Sequence, residues 1–336
     1  MSKQFETYKD IEKMLEQIKV TEPDFVSLAM PKRYVAPASY PHFGKVFVTS
    51  AYQNNFLLSM GFDVNPTVNA GYTVFAKLTK YQVPTYYVTE NLCEALAVTS
   101  PPADMLLDDI KWPMPAMVFM LPIDFCHRFF GRQVNFISAA RFEANEIVES
   151  PGMTALGKMQ SVELVSASPQ VILYYESVEP ESNLVSNYNS NSPVTRKIGE
   201  IVHDDVVYNG EIIDPAQQPF NPKEDKEFAN RVFMFVIKLL LVMTARQSYV
   251  EAGECVRTEK WKKSGKVRDA LWAPNYIGRT YKVQREGTTP TGTHASPRLH
   301  WRRGHIRHQP YGEGRSLMRV IWIEPCLIGA KVEKQE

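Results

Sequence analysis

The run Val232 to Met243, VFMFVIKLLLVM, constrains the fold more than any other segment of the chain. Twelve residues are apolar but for Lys238, well short of the roughly 20 that a bilayer span requires, so the run predicts a helix buried in a soluble core and no membrane partner. Pro219 to Pro222 precede it, and the pattern predicts a helix from about Lys223 to Ser248. A single lysine in such a core must lay its stem along apolar neighbours and carry its amine to a polar partner.

The elements around that helix mix strand and helix signals. Phe5, Tyr8, Ile11, Met14, Leu15 and Ile18 recur at helical spacing and predict an amphipathic N-terminal helix. Val46 to Thr49 and Gly71 to Leu78 fit strand or helix equally. Thr89 is placed to cap a short helix, Glu90 to Val98, that Pro101 and Pro102 end. Ala116 to Leu121, bracketed by prolines, reads as a central strand. Gln133 to Ser138, Val162 to Val165, Val171 to Tyr175 and Ile201 to Tyr208 read as further strands. The Ser-, Asn- and Pro-rich stretch Glu179 to Thr195 reads as loop. Past the long helix, Tyr276 to Gln284, Arg298 to Arg307 and Leu317 to Ile323 predict three strands, the last two meeting at a Gly312-Glu313-Gly314 turn. The expectation is an α+β fold: a mixed, mainly antiparallel sheet with a long buried helix and a C-terminal basic β-hairpin unit.

Charge divides the chain. Its formal net charge is +1, yet Val256 to Arg319 holds 15 Lys/Arg against 4 Asp/Glu, leaving the remainder with 23 against 33. Two parts are expected, a mildly acidic body over 1–255 and a basic unit over 256–336 packed on it as one compact protein. That asymmetry points to an anionic partner. The four cysteines are widely spaced, giving neither a metal knuckle nor a disulfide framework, and the charged N-terminus has no secretory apolar stretch. A cytoplasmic setting is expected, with no cofactor and no metal.

Four of the seven histidines fall between His294 and His308, three of them inside PRLHWRRGHIRHQPYGEGRSLMRVIWIEPCLIG, which starts at Pro297. Guanidinium forks match phosphates, and aromatic faces accept unstacked bases, so RNA satisfies both features. The candidate anion contacts are Lys262, Lys263, Lys266, Arg298, Arg302, Arg303, His305, Arg307, Tyr311 and Arg315. On a regular strand His300, Arg302, Ile306 and His308 share one face, and Trp301, Arg303, His305 and Arg307 the other. A bulge at Gly304 would bring His300 and His305 together as a general base and acid for phosphodiester transfer, the chemistry of a stand-alone ribonuclease. The plainer alternatives are a solvated arginine face that pairs with the acidic body, and a protein-interaction module without RNA contact. His127 and His203 read as structural histidines, and Asp104, Asp108 and Asp109 as a solvated loop. No phosphate-binding loop, GxSxG or HExxH motif occurs.

Those C-terminal residues, a Pro, then His-x-Arg-Arg-Gly-His, a glycine turn and a strand closing on Trp322 and Pro325, resemble the C-terminal motif of the second type V-A anti-CRISPR family. Ile306 stands where that family has Trp. The order of the Pro113 to Pro122 strand and the long apolar helix is similar as well. The resemblance implies a protein of a phage or other mobile element, working in the bacterial host cell, that shuts off production of a type V-A Cas effector during its translation with loss of the message. The partners it implies are the nascent N-terminal peptide of that effector and RNA, either message or ribosome-associated. The first two-thirds of the chain transfers no peptide-binding surface.

Overall fold

The computed structural model describes residues 39–41, 74, 77, 85–146, 168–178, 185–201, 207–209, 222–257, 260–261, 267–268, 271–272, 275–286 and 300–328. The N-terminal helix, Val46 to Thr49, Val162 to Val165, all of Gly71 to Leu78 but two residues, and His203 lie outside them.

The chain begins with β1 (Thr85–Val88), α1 (Glu90–Ala97) and β2 (Thr99–Ser100). It continues through β3 (Ala116–Met120), α2 (Ile123–Phe130), β4 (Gln133–Phe142), β5 (Gln170–Val178), β6 (Val185–Pro193), β7 (Val207–Asn209) and α3 (Pro222–Ala245). The remainder is β-structure: β8 (Val250–Glu251), β9 (Cys255–Arg257), β10 (Lys260–Trp261), β11 (Val267–Arg268), β12 (Leu271–Trp272), β13 (Asn275–Ile277), β14 (Gln284–Glu286), β15 (His300–Arg302), β16 (Gly304–Tyr311), β17 (Leu317–Ile323) and β18 (Cys326–Ile328). Eight strands form the main sheet in the order β7-β6-β5-β4-β3-β1-β13-β8, so residues on both sides of position 255 share it. β1 pairs in parallel with β3 and β13 and the other neighbours are antiparallel, giving the mixed, mainly antiparallel α+β fold.

The helices follow from their ends and faces. Pro122 precedes α2, Asp124 sits in its first turn, and Gly131 at φ +81° supplies the left-handed residue that closes it. Thr89 does occupy the position before α1, but its hydroxyl donates to Gly278 O at 2.9 Å, tying the helix start to the β13 end. In α3, Glu224 and Asp225 occupy the first turn, where the helix dipole favours carboxylates. Its Phe228 packs edge-on against the stacked Tyr175 and Tyr188, and Phe235 meets Phe125, Phe129 and Phe130 of α2. By length and composition α3 could cross a membrane, but most of it is buried within the protein.

Lys238, 6% exposed, donates to Leu96 O at the C-terminal end of α1 and lies about 6 Å from the rings of Phe129 and Phe235. Burial pulls its pKa from 10.5 down to about 8. The unfolded chain therefore holds more protons between those values, and stability must rise with pH across that window. The gap corresponds to about 3 kcal/mol. We expect wild type to gain stability relative to Lys238→Met by roughly that amount between pH 7 and 10.5, measured by urea unfolding of both proteins side by side. The buried thiols and tyrosines titrate in both proteins and cancel, so parallel pH profiles would exclude a strained ammonium.

Three expectations change. Val185–Pro193, within the stretch read as loop, is a full strand in register with β5 from Gln170↔Pro193 to Val178↔Val185. Its polar text is accommodated by pairing on both edges and by Tyr188, whose ring stacks on Tyr175 at 5.2 Å. The strand expected over Tyr276 to Gln284 splits, because Gly278 at φ +94° turns the chain out of the main sheet before β14. The strand expected over Arg298 to Arg307 breaks between Arg302 and Gly304, and its two parts enter different sheets, β14-β18-β15 and β17-β16-β2.

Candidate nucleic-acid interface

The C-terminal hairpin docks through a small knot of side chains. Gly304 and His305 pair in parallel with Thr99 and Ser100, the two residues of β2 just past α1. A Cβ on Gly304 would lie 2.7 Å from Pro325 Cδ, 2.7 Å from Thr99 Oγ1 and 2.9 Å from Ile323 O, so only glycine fits this close approach. Trp322 Nε1 donates to Thr99 Oγ1 at 3.3 Å, and that hydroxyl donates in turn to Ala95 O at 2.7 Å. The Trp322 ring stacks on Tyr281 with centroids 5.6 Å apart, and Tyr249 meets it edge-on. Tyr249 OH and Arg246 both donate to Glu324 Oε1. Gly304, Trp322 and Pro325 thus hold the hairpin to the body.

Beyond the knot the hairpin leaves the body. β16 and β17 pair from His305↔Ile323 to Tyr311↔Leu317 around Gly312 to Ser316, so the turn read from the glycines is where the sequence puts it. Ile306 and Trp322 are buried opposite each other, His308 and Val320 are half-buried, and Pro310 and Met318 are exposed. Burial is lost step by step toward the tip. The other face carries His305, Arg307, Gln309 and Tyr311 on β16 opposite Ile323, Ile321, Arg319 and Leu317 on β17. Arg307 and Arg319 are exposed there, and the Arg319 guanidinium lies 5.3 Å from the centre of the Tyr311 ring. Tyr311 is 40% exposed, Leu317 53% and Met318 45%.

The candidates separate accordingly. Lys262, Lys263, Lys266 and Arg298 lie outside the described residues. His305, Arg307 and Tyr311 share the outer face of the hairpin, with Arg315 in the turn and Arg302 and Arg303 exposed at the β15–β16 junction. His300 stands opposite Ile328 in one sheet and His305 opposite Ile323 in another. Arg319 was absent from the sequence candidates; folding the text back across Gly312 to Gly314 would have set it against Gln309. Arg303, Arg307, Arg315 and Arg319 pair with no carboxylate among the described residues, unlike Arg128, Arg132, Arg141 and Arg246 in the body. Nor do three His, Cys, Asp or Glu side chains gather as metal ligands among those residues.

The body offers a different feature, an open cleft of about 690 Å³ between Trp112 to Pro115 and the charged wall of Arg141, Glu143 and Glu146. Those charges are spent on one another. Arg141 donates to Glu143 at 3.0 Å and to Asp108 at 2.7 Å, and Glu146 accepts from Lys77 at 2.7 Å and from the Glu143 N–H at 3.0 Å. Among the described residues, Arg303, Arg307, Arg315 and Arg319 of the hairpin are not spent in this way.

The family model of the AcrVA2-like proteins, described as the anti-CRISPR type V subtype A2 family, matches residues 86–330. The chain belongs to the AcrVA2-like family. That span runs from β1 through β18 and so takes in the main sheet, α3 and the docked hairpin. The crystal structure of AcrVA2 is similar with a TM-score of 0.37 at 12% identity, covering 95% of this chain and 97% of that one. No curated protein matches the chain. The resemblance read from the C-terminal motif is thus met at the level of the family, type V-A anti-CRISPR proteins.

Proposed function

We propose that this AcrVA2-like protein lowers the expression of a type V-A Cas effector in the bacterial cytoplasm, acting on its translation and message, and that its C-terminal hairpin is the part that contacts RNA. The observation that carries the RNA contact is the set of exposed guanidiniums, Arg303, Arg307, Arg315 and Arg319, without a carboxylate partner among the described residues. A face that only neutralised the acidic body would have spent them there, as Arg141 is spent on Asp108 and Glu143. Specificity for one message comes from the nascent N-terminal peptide of the effector, as the family resemblance implies. The reading is of binding, not of cleavage: His300 and His305 stand in separate sheets, and acid-base transfer needs both imidazoles at one phosphate.

The test is RNA affinity against salt. Each phosphate contact on a single strand adds about 0.7 to the slope of log affinity against log salt, so Arg307→Ala with Arg319→Ala should weaken binding and flatten the slope by about 1.4. The RNA recovered from incubation with pure wild type should be intact. An unchanged slope removes these arginines from the interface, and cleavage lost in both His300→Ala and His305→Ala would make the protein a ribonuclease.

A further inference from the structure

The tip of the hairpin carries more than charge. Tyr311 is its exposed aromatic residue, held on the same face as Arg307 and Arg319, with the Arg319 guanidinium over its ring at 5.3 Å. Arg307 and Tyr311 are four residues apart on one strand, which spans about 13 Å. Arg319 lies across from Gln309, midway between them. Two cations and then a ring therefore follow one another along the outer face of the hairpin.

A strip of this kind suits an unpaired strand and not a duplex. Bases can lie on a tyrosine ring or a guanidinium plane only when unstacked from their neighbours, whereas in an A-form helix they are paired and the major groove is too deep and narrow for side chains to read. Packing of Arg319 on the ring fixes the platform before a ligand arrives and leaves the rest of each guanidinium to phosphate. Gln309 lies between Arg307 and Tyr311 on this face. An acidic polypeptide also complements the charge, but it has no use for a ring already paired with a cation. Charge complementarity together with the stack therefore favours nucleic acid.

We propose that the outer face of the β16–β17 hairpin is a single-stranded RNA subsite in which a base stacks on the Tyr311–Arg319 platform and the adjoining phosphates lie on Arg307 and Arg319. This rests on the RNA-contact reading above and specifies it: unpaired RNA, engaged without sequence readout by the platform itself.

The experiment uses the full chain and a fluorescent, unstructured uridine oligomer, free or annealed to its adenosine complement, followed by anisotropy. The single strand should bind more tightly than the duplex. Tyr311→Ser should weaken single-strand binding about 5- to 150-fold, the range for loss of one stacked base, with the salt slope unchanged because no phosphate contact is lost. Tyr311→Phe should retain wild-type affinity. Tyr311 is exposed, so neither variant is expected to disturb folding, and the unfolding midpoint checks this. Equal affinity for single strand and duplex, with Tyr311→Ser unaffected, would overturn the stacking subsite while leaving a phosphate-binding hairpin intact. Absence of RNA binding by wild type would remove both. Polyglutamate displacing the oligomer at comparable concentration, with the same response to Tyr311→Ser, would assign the strip to an acidic polypeptide instead.

Discussion

Arg132→Ala is expected to destabilise the protein by about 3–5 kcal/mol, the cost of leaving one member of a buried ion pair without its partner. Arg132 Nη1 donates to Asp225 Oδ1 at 2.9 Å and to Tyr188 OH at 2.7 Å, and Tyr188 OH donates to the same carboxylate oxygen at 2.8 Å. The guanidinium also lies 4.4 Å from the centre of the Phe228 ring. Asp225 belongs to the first turn of α3, Tyr188 to β6, and Arg132 to the turn between α2 and β4. The triad therefore fastens the N-terminal end of the long helix to the sheet. Without the arginine, Asp225, whose side chain is 6% exposed, keeps a negative charge against apolar rings. Burial and the carboxylate together already push the Tyr188 hydroxyl upward, with Arg132 opposing them.

The measurement is urea unfolding of wild type, Arg132→Ala, Asp225→Asn and the double variant. A cycle of this kind separates the pair from the packing each residue makes alone. The expected pattern is a large loss for Arg132→Ala, part of which is regained when Asp225→Asn is added, because the amide removes the stranded charge. Arg132→Ala with an unmoved midpoint and unchanged denaturant dependence would mean that solvent reaches the carboxylate and that the triad does not anchor the helix.

What could be read from the sequence was what local pattern encodes. α3 is a long periodic run, β3 an apolar run between prolines, and the β16–β17 turn a pair of glycines at the required spacing. β6 was not legible because nothing in Ser186 to Ser192 signals burial. Its place comes from pairing with β5 and β7 on either side and from polar contacts such as Tyr175 OH with Ser190 Oγ at 3.2 Å. The parallel pairing of β13 with β1 joins residues roughly 190 positions apart and has no local signature. For the interface, the sequence gathered His305, Arg307 and Tyr311 but ran them on one strand with His300 and Arg302. Only the fold separates the two sheets at Gly304. The count of basic residues was plain, whereas whether they turn inward to carboxylates or outward to solvent depends on where the acidic residues fold.

The residues that gave the resemblance divide by role, and Trp322→Ala tests the division. Trp322 is 1% exposed, stacks on Tyr281, meets Tyr249 edge-on and donates to Thr99. Its truncation should destabilise by about 3–5 kcal/mol, as for a large aromatic removed from a packed core. Gly304→Ala should cost less, about 1–3 kcal/mol, because the new methyl must displace Pro325, the Thr99 hydroxyl and the Ile323 carbonyl. Trp322→Phe, which keeps an aromatic ring but loses the N–H, should cost about 1 kcal/mol for the hydrogen bond besides what the smaller ring loses in packing. Urea midpoints in that order, with Trp322→Ala lowest, are the expected result. All three should bind RNA as wild type does where they remain folded, because the knot lies at the base of the hairpin and the proposed RNA face at its tip. Trp322→Ala unfolding like wild type would refute the knot. Trp322→Ala folded but unable to bind RNA would move the binding face from the outer strip to the base of the hairpin, where His305 and Ser100 pair.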